Sequence, residues 1–311
     1  MFIKQAFKPE NKYWKYLVGS VIVFLASVIG QIPLMIAVFA KSVKEGESMP
    51  VDQSELLRYL DLNLTLLLIL LSFTFAFIAF YFVVKNFHDQ KFRTVITARP
   101  RVDWKRIFFA FFLWGTFLTV TTAYEYYSKP DTFEVQFNLS KFAILFIIAI
   151  VFIPIQTTLE ELIFRGYLMQ GFGRLGLTKW FPLVMTSVIF GVMHLSNPEV
   201  GKMGMVIMVY YIGTGLFLGV ITLMDEGTEL ALGFHAANNL ITALLVTSEW
   251  SAFQTHSVLK SLSEPEVGYT VLLPVVVIFP ILLFIFSMKY KWRNWKEKLT
   301  GKLVLPTHEI Y

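Results

Sequence analysis

Thr157-Thr158-Leu159-Glu160-Glu161-Leu162-Ile163-Phe164-Arg165-Gly166 lies inside an otherwise apolar run from Phe142 to Phe172. Two adjacent carboxylates and an arginine at bilayer depth are costly, and they mark a functional site by default. Helical geometry divides their work. Glu161 and Arg165 stand at i and i+4 with the acid N-terminal, the favourable order for an ion pair. Glu160 lies about 100° further round the helix and cannot share that arginine equally. One acid reads as paired and structural, the other as free to react.

The rest of the chain sets the class. Of 311 residues, 56% are hydrophobic and 16% charged, where a soluble chain carries about 25% charged residues. Apolar stretches of about 20 residues recur. The fold class expected is an all-α integral membrane protein of about eight transmembrane helices. The spans run roughly from Tyr16 to Ala40 (with Pro33 as a kink), Leu62 to Val84, Ile107 to Tyr127, then the motif span from Phe142. Trp180 to Leu195, Met203 to Met224, Leu230 to Val246 and Tyr269 to Met288 complete the set. The chain divides into an N-terminal part over 1–140, a core over 141–247, and a last helix with a basic tail over 248–311.

Basic residues gather beside the spans: Lys4 to Lys15, Lys85 to Arg106, and Lys289 to Lys302. Such clustering sets topology and is not a nucleic-acid footprint, so no nucleic-acid partner is expected. Eight spans put both termini on one side, and the positive-inside rule makes that side the cytoplasm, with the cell membrane as location. The acidic turn from Asp225 to Glu229 carries no basic residue and does not help. There is no cysteine, which excludes disulfides, thiolate metal sites and a cysteine nucleophile.

Five histidines are present. His88, His256 and His308 fall in polar segments and read as solvated, whereas His194 and His235 fall in apolar spans. Glu160 and His194 are equidistant in sequence from Leu177, in the turn between their arms. If both arms are helical, each lies about 25 Å from that turn at ~1.5 Å per residue, hence at one depth. Phe190, one turn before His194, could pack under its ring. His235 and Asn239 are i, i+4 and share a face; Asn238 points elsewhere.

A carboxylate and an imidazole can hold and deprotonate a water, while an imidazole and an amide can donate to a developing oxyanion. That set suffices for amide hydrolysis. Ser187 and Ser196 lack a base beside them in sequence. Two alternatives stay open. Glu160, His194 and His235 could bind zinc, although the helical His-Glu-x-x-His spacing is absent. The acids and arginine could instead form a buried ion-pair cluster in a non-enzymatic scaffold.

At this point the motifs resemble a known family. Glu160-Glu161-x-x-x-Arg165 is similar to Glu-Glu-x-x-x-Arg, Phe190-x-x-x-His194 to Phe-x-x-x-His, and His235-x-x-x-Asn239 to His-x-x-x-Asn, in matching order. They resemble the type II CAAX prenyl protease family, whose bacterial members are also called CPBP or bacteriocin self-immunity (Abi) proteins. The resemblance covers roughly Lys141 to Thr247. It implies an intramembrane endopeptidase with eight helices and a conical cavity open to the cytosol. By the same resemblance Glu160 and His194 activate water, His235 and Asn239 form the oxyanion hole, and Glu161 and Arg165 support the motif helix. No cofactor is then required, with zinc as the alternative. The expected partners are membrane lipid and a peptide or protein substrate at the membrane; a scaffold or immunity role is the rival.

Overall fold

The computed structural model describes residues 1–8, 11–265 and 268–304; His308 lies outside the described residues. The chain is a multi-pass integral membrane protein of helices. Among the described residues, six are long and apolar enough to cross a bilayer: Tyr13–Glu45, Leu62–Phe87, Trp104–Ser128, Leu139–Gly176, Pro198–Asp225 and Val271–Tyr290. Side-chain caps begin three of them. Asp61 accepts from the Asn63 and Leu64 amides, Asp103 from Lys105, and Asn138 from Lys141, satisfying N–H groups that a helix start leaves open. The first span breaks between Gly30 and Ile32, with Pro33 in the first turn of its second segment, where a proline removes no needed donor.

Six of the eight expected spans correspond to these long apolar helices. Two expected spans are shorter helices, Trp180–Val192 of 13 residues and Glu229–Leu245 of 17. At ~1.5 Å per residue the first falls well short of a hydrocarbon core of about 30 Å, while the second is at the lower limit for a span. Both nevertheless carry or abut motif residues. Phe190 and His194 fall at and just beyond the end of the first, and His235 and Asn239 in the middle of the second.

Glu229–Leu245 packs along Trp104–Ser128 at very close range. A Cβ on Gly233 would stand 2.0 Å from the Ile107 carbonyl oxygen, which is backbone and cannot yield. Gly233→Ala should therefore separate these helices and cost about 1–3 kcal/mol, as overpacking does. Thermal unfolding in detergent checks this; an unchanged midpoint would contradict so tight a crossing. Beside the contact, Trp114, Phe217, Phe234 and Phe279 form an aromatic core, with the Phe217 and Phe279 rings stacked at 4.6 Å.

At one end of the bundle lies a small sheet that the sequence reading did not anticipate. Strands β1 (Phe133–Val135), β2 (Val246–Thr247) and β3 (Leu259–Ser261) take the order β1-β3-β2, with β1 antiparallel and β2 parallel to β3. At the opposite end, the basic segment 85–106 is folded against the bundle. Arg99 bonds Asp225 at 2.9 Å and Glu229 at 3.0 Å, and Arg106 bonds Asp225 at 2.5 Å. The turn without basic residues thus receives its positive charge from this segment. Thr228 N–H donates to Ile96 O at 2.8 Å, and Ala98 N–H to Glu226 O at 3.0 Å, completing the clasp.

His88 corrects the sequence reading. It is 1% exposed, with Nε2 at 2.8 Å from the Tyr167 hydroxyl and Nδ1 at 3.1 Å from Asn11 Oδ1. Burial first, and the Lys15 ammonium second, push its pKa down to about 4. It is a neutral core histidine that ties the N-terminal segment to the motif helix. A polar sequence neighbourhood does not report this, because the partners come from distant segments. His256 is half-buried and pairs with Asp61 at 3.3 Å.

Candidate active site

The motif helix Leu139–Glu161 is long and apolar, with Pro154 inside it. Thr157 returns its hydroxyl to the Ile153 carbonyl at 3.0 Å. Directly after Glu161 the backbone widens into a π-helical segment, Leu162–Leu168, a feature found often at functional sites. Gly166 in this segment lies against Val95; a Cβ there would meet the Val95 carbonyl oxygen at 2.4 Å. The basic segment therefore buttresses the stretch that carries Arg165.

Glu161 and Arg165 are both fully buried and bond at 3.0 Å. Arg165 also donates to Gly215 O at 3.4 Å, and its guanidinium lies 4.2 Å from the Phe190 ring centre. Glu161 has a second partner from another helix: His235 Nδ1 stands 2.7 Å from the same carboxylate oxygen. A carboxylate only accepts, so Nδ1 carries the proton and Nε2 faces the other way. Nε2 lies 3.6 Å from Glu160 Oε2.

Glu160 is held differently. Its Oε1 accepts from Gln156 Nε2 at 2.7 Å. Gln156 in turn accepts from Asn239 Nδ2 at 3.2 Å. Asn239 Oδ1 accepts from Asn238 at 3.2 Å, and Asn238 Oδ1 accepts from the Trp114 indole at 3.1 Å. Asn238 therefore joins the site network, contrary to its expected direction: a neighbouring amide can bend back to the next residue, and Trp114 holds it there. Gln156 could have been found from sequence, since it is the polar residue one turn before Glu160. Trp114 had no signal, because an aromatic in an apolar span reads as core.

His194 lies in a turn beyond the end of Trp180–Val192. The helical arm assumed from sequence stops short of it. Its Nδ1 donates to Phe190 O at 2.7 Å, which leaves Nε2 as the lone-pair nitrogen of the neutral ring. Tyr211 stacks on its face at 4.5 Å. Phe190 is the packing hub, with its ring centre 4.6 Å from that of His194 and 6.2 Å from that of His235. Among the described residues no hydrogen bond joins Glu160 to His194. Ser187 spends its hydroxyl on Leu183 O at 2.6 Å and is fully buried.

Among the described residues, no group of three or more His, Asp or Glu side chains converges as a metal site. Gln156, Phe190 O and Glu161 each occupy one polar atom of Glu160, His194 and His235, so Glu160 Oε2 and the two Nε2 atoms are the ones that would meet an ion. An open groove of about 1100 Å³ lies between Trp104–Ser128 and Val271–Tyr290, walled by Phe108, Phe112, Phe117 and Tyr290; no motif residue lines it.

A helical membrane protein with a buried Glu161–Arg165 pair, a half-buried Glu160, two histidines and an amide gathered from three segments of the chain has the parts of an intramembrane hydrolase. The chain belongs to the type II CAAX prenyl endopeptidase Rce1-like family, whose family model matches residues 139–241. It is 31% identical over 247 residues to the uncharacterized protein YyaK of Bacillus subtilis (strain 168), covering 78% of this chain and 81% of that protein. No solved structure gives a significant match. The family is one of CAAX-type membrane endopeptidases, which makes proteolysis the general activity to expect.

Proposed function

We propose that the chain is an intramembrane endopeptidase that cleaves a membrane-associated, CAAX-like peptide through an activated water. One observation carries the reading: among the described residues Glu160 Oε2 makes no short hydrogen bond, with His235 Nε2 at 3.6 Å, while Gln156 holds Oε1 at 2.7 Å. That leaves an oriented carboxylate oxygen for a water. His194, protonated on Nδ1 by its bond to Phe190 O, offers the Nε2 lone pair as second acceptor. Glu160 takes the water proton, the hydroxide oxygen adds to the scissile carbonyl, and the C–N bond then breaks. The proton passes to the departing nitrogen, giving a carboxylic acid and an amine, which then exchange a proton to become carboxylate and ammonium.

His235 and Asn239 are the oxyanion donors in this scheme. Glu161 holds Nδ1–H, so a second proton on Nε2 makes His235 a cationic donor, with Glu161 as its counter-charge. With Arg165 and Glu160 included, the four-residue cluster is then neutral overall, which limits the cost of burying it. The chemistry needs no metal. The substrate approaches from the bilayer, whose lipid is the other partner, and the site recruits no nucleic acid. In this reading both termini face the cytoplasm at the cell membrane, which the clustering of basic residues supports through the positive-inside rule.

The test is cleavage of a quenched prenyl-peptide panel by detergent-purified protein, with and without a zinc chelator. Cleavage indifferent to chelator is expected. Cleavage abolished by chelator and restored by zinc would replace the scheme with a metal-dependent one. No cleavage, with a cellular phenotype insensitive to site substitutions, would instead support a scaffold or immunity role.

A further inference from the structure

The hydrogen bonds around Glu160 form a chain with a direction. Trp114 Nε1–H donates to Asn238 Oδ1, Asn238 Nδ2 to Asn239 Oδ1, Asn239 Nδ2 to Gln156 Oε1, and Gln156 Nε2 to Glu160 Oε1, at 3.1, 3.2, 3.2 and 2.7 Å. The two ends have no choice of role. An indole nitrogen can only donate and a carboxylate can only accept. Three amides lie between them, and each could face either way in isolation. With both ends fixed, only one orientation of all three satisfies every link.

That polarity matters at Asn239. Its oxygen is consumed by Asn238 and one N–H by Gln156, so its remaining polar atom is a second N–H. An amide turned over would offer the site an oxygen, which repels a developing oxyanion. The same polarity makes Gln156 donate to Glu160, so that one carboxylate oxygen is held and the other, 3.6 Å from His235 Nε2, makes no short hydrogen bond among the described residues. Trp114 and Gln156 are well placed to enforce this, being 5% and 3% exposed. Trp114 is further clamped between Phe117 and Phe234, stacked at 5.0 and 4.7 Å. Linked hydrogen bonds of this kind also polarise one another in a low-dielectric interior.

We propose that Trp114 and Gln156 are positioning residues that set the direction of this amide relay. Through it Asn239 presents a donor and Glu160 presents a free acceptor. Neither residue touches the reacting atoms, and neither belongs to the three motifs. The proposal rests on the peptidase reading for its catalytic consequence, but the relay can be tested without it.

The experiment is a double-mutant cycle of Trp114→Phe and Gln156→Met in the full-length, detergent-purified protein. Thermal midpoints are read first, then kcat and KM on any prenyl-peptide that wild type cleaves. The two side chains have no mutual hydrogen bond, so independent structural roles predict additive losses. The relay predicts coupling: the double variant melts higher than the summed single shifts require. On a cleaved substrate, Trp114→Phe should lower kcat about tenfold, the scale of one buried hydrogen bond, with KM within about twofold. In the Gln156→Met background the same substitution should change kcat less than about twofold. Asn238→Leu cuts the chain without disturbing the aromatic stack and should reproduce the coupling if Trp114→Phe folds poorly. Additive midpoints in both cycles would overturn the relay. Coupled midpoints with no cleavage by wild type would sustain the relay while counting against the peptidase reading.

Discussion

Replacing Glu160 by glutamine should lower peptide cleavage by about 10²–10⁴-fold, the usual contribution of a positioned general base. The substitution is nearly isosteric. Gln156 can still donate to the amide oxygen that replaces Glu160 Oε1 at this 2.7 Å contact, so the fold and the relay have no reason to change. What disappears is the capacity to accept a proton from water. The loss should fall on kcat with little change in KM, because binding is not the step removed. Kinetics on the wild type and variant, with matched thermal midpoints, make the comparison clean. Full activity in Glu160→Gln would show that another group is the base.

The second large effect is on stability. Glu161 and Arg165 are both fully buried and paired at 3.0 Å. Removing one member leaves a charge that the surroundings cannot solvate, at a cost of about 3–5 kcal/mol. Glu161→Leu should cost more than Arg165→Met. Without Glu161, the arginine keeps Gly215 O at 3.4 Å, the faces of Phe190 and Phe164, and the more distant Glu160 charge, with no direct ion pair among the described residues. Without Arg165, Glu161 keeps His235 at 2.7 Å, which can carry the compensating charge. The double variant Glu161→Leu with Arg165→Met should be more stable than Glu161→Leu alone, since no unpaired guanidinium remains. Unfolding in detergent with added denaturant measures all three. Single variants that lose less than about 1 kcal/mol would mean that water reaches the pair.

Local spacing made part of this site legible. The i, i+4 relation of Glu161 and Arg165 survives even though the backbone widens to a π segment between them. The apolar stretches announced a helical membrane protein, because hydrocarbon demands long runs of one composition. Span counting was less secure, since Trp180–Val192 and Glu229–Leu245 are apolar enough to look like spans but too short to be among the six long ones. Burial of His88 was invisible because its partners, Asn11 and Tyr167, stand far away in sequence. The role of the basic segment 85–106 was equally hidden. Its arginines read as topology signals, yet Arg99 and Arg106 neutralise Asp225 and Glu229 across the end of the bundle.

By itself the sequence determined the class of protein, the helices that carry the charged and polar motifs, and the pairing of Glu161 with Arg165. All of these depend on composition or on contacts within one turn of helix. Only the tertiary structure decided that His235 binds Glu161, that Phe190 packs between the two histidines, and that Trp114 reaches Glu160 through three amides. Those contacts join helices remote in the chain, and their geometry is set by how closely the helices approach. At Gly233 that approach leaves no room for a single methyl group.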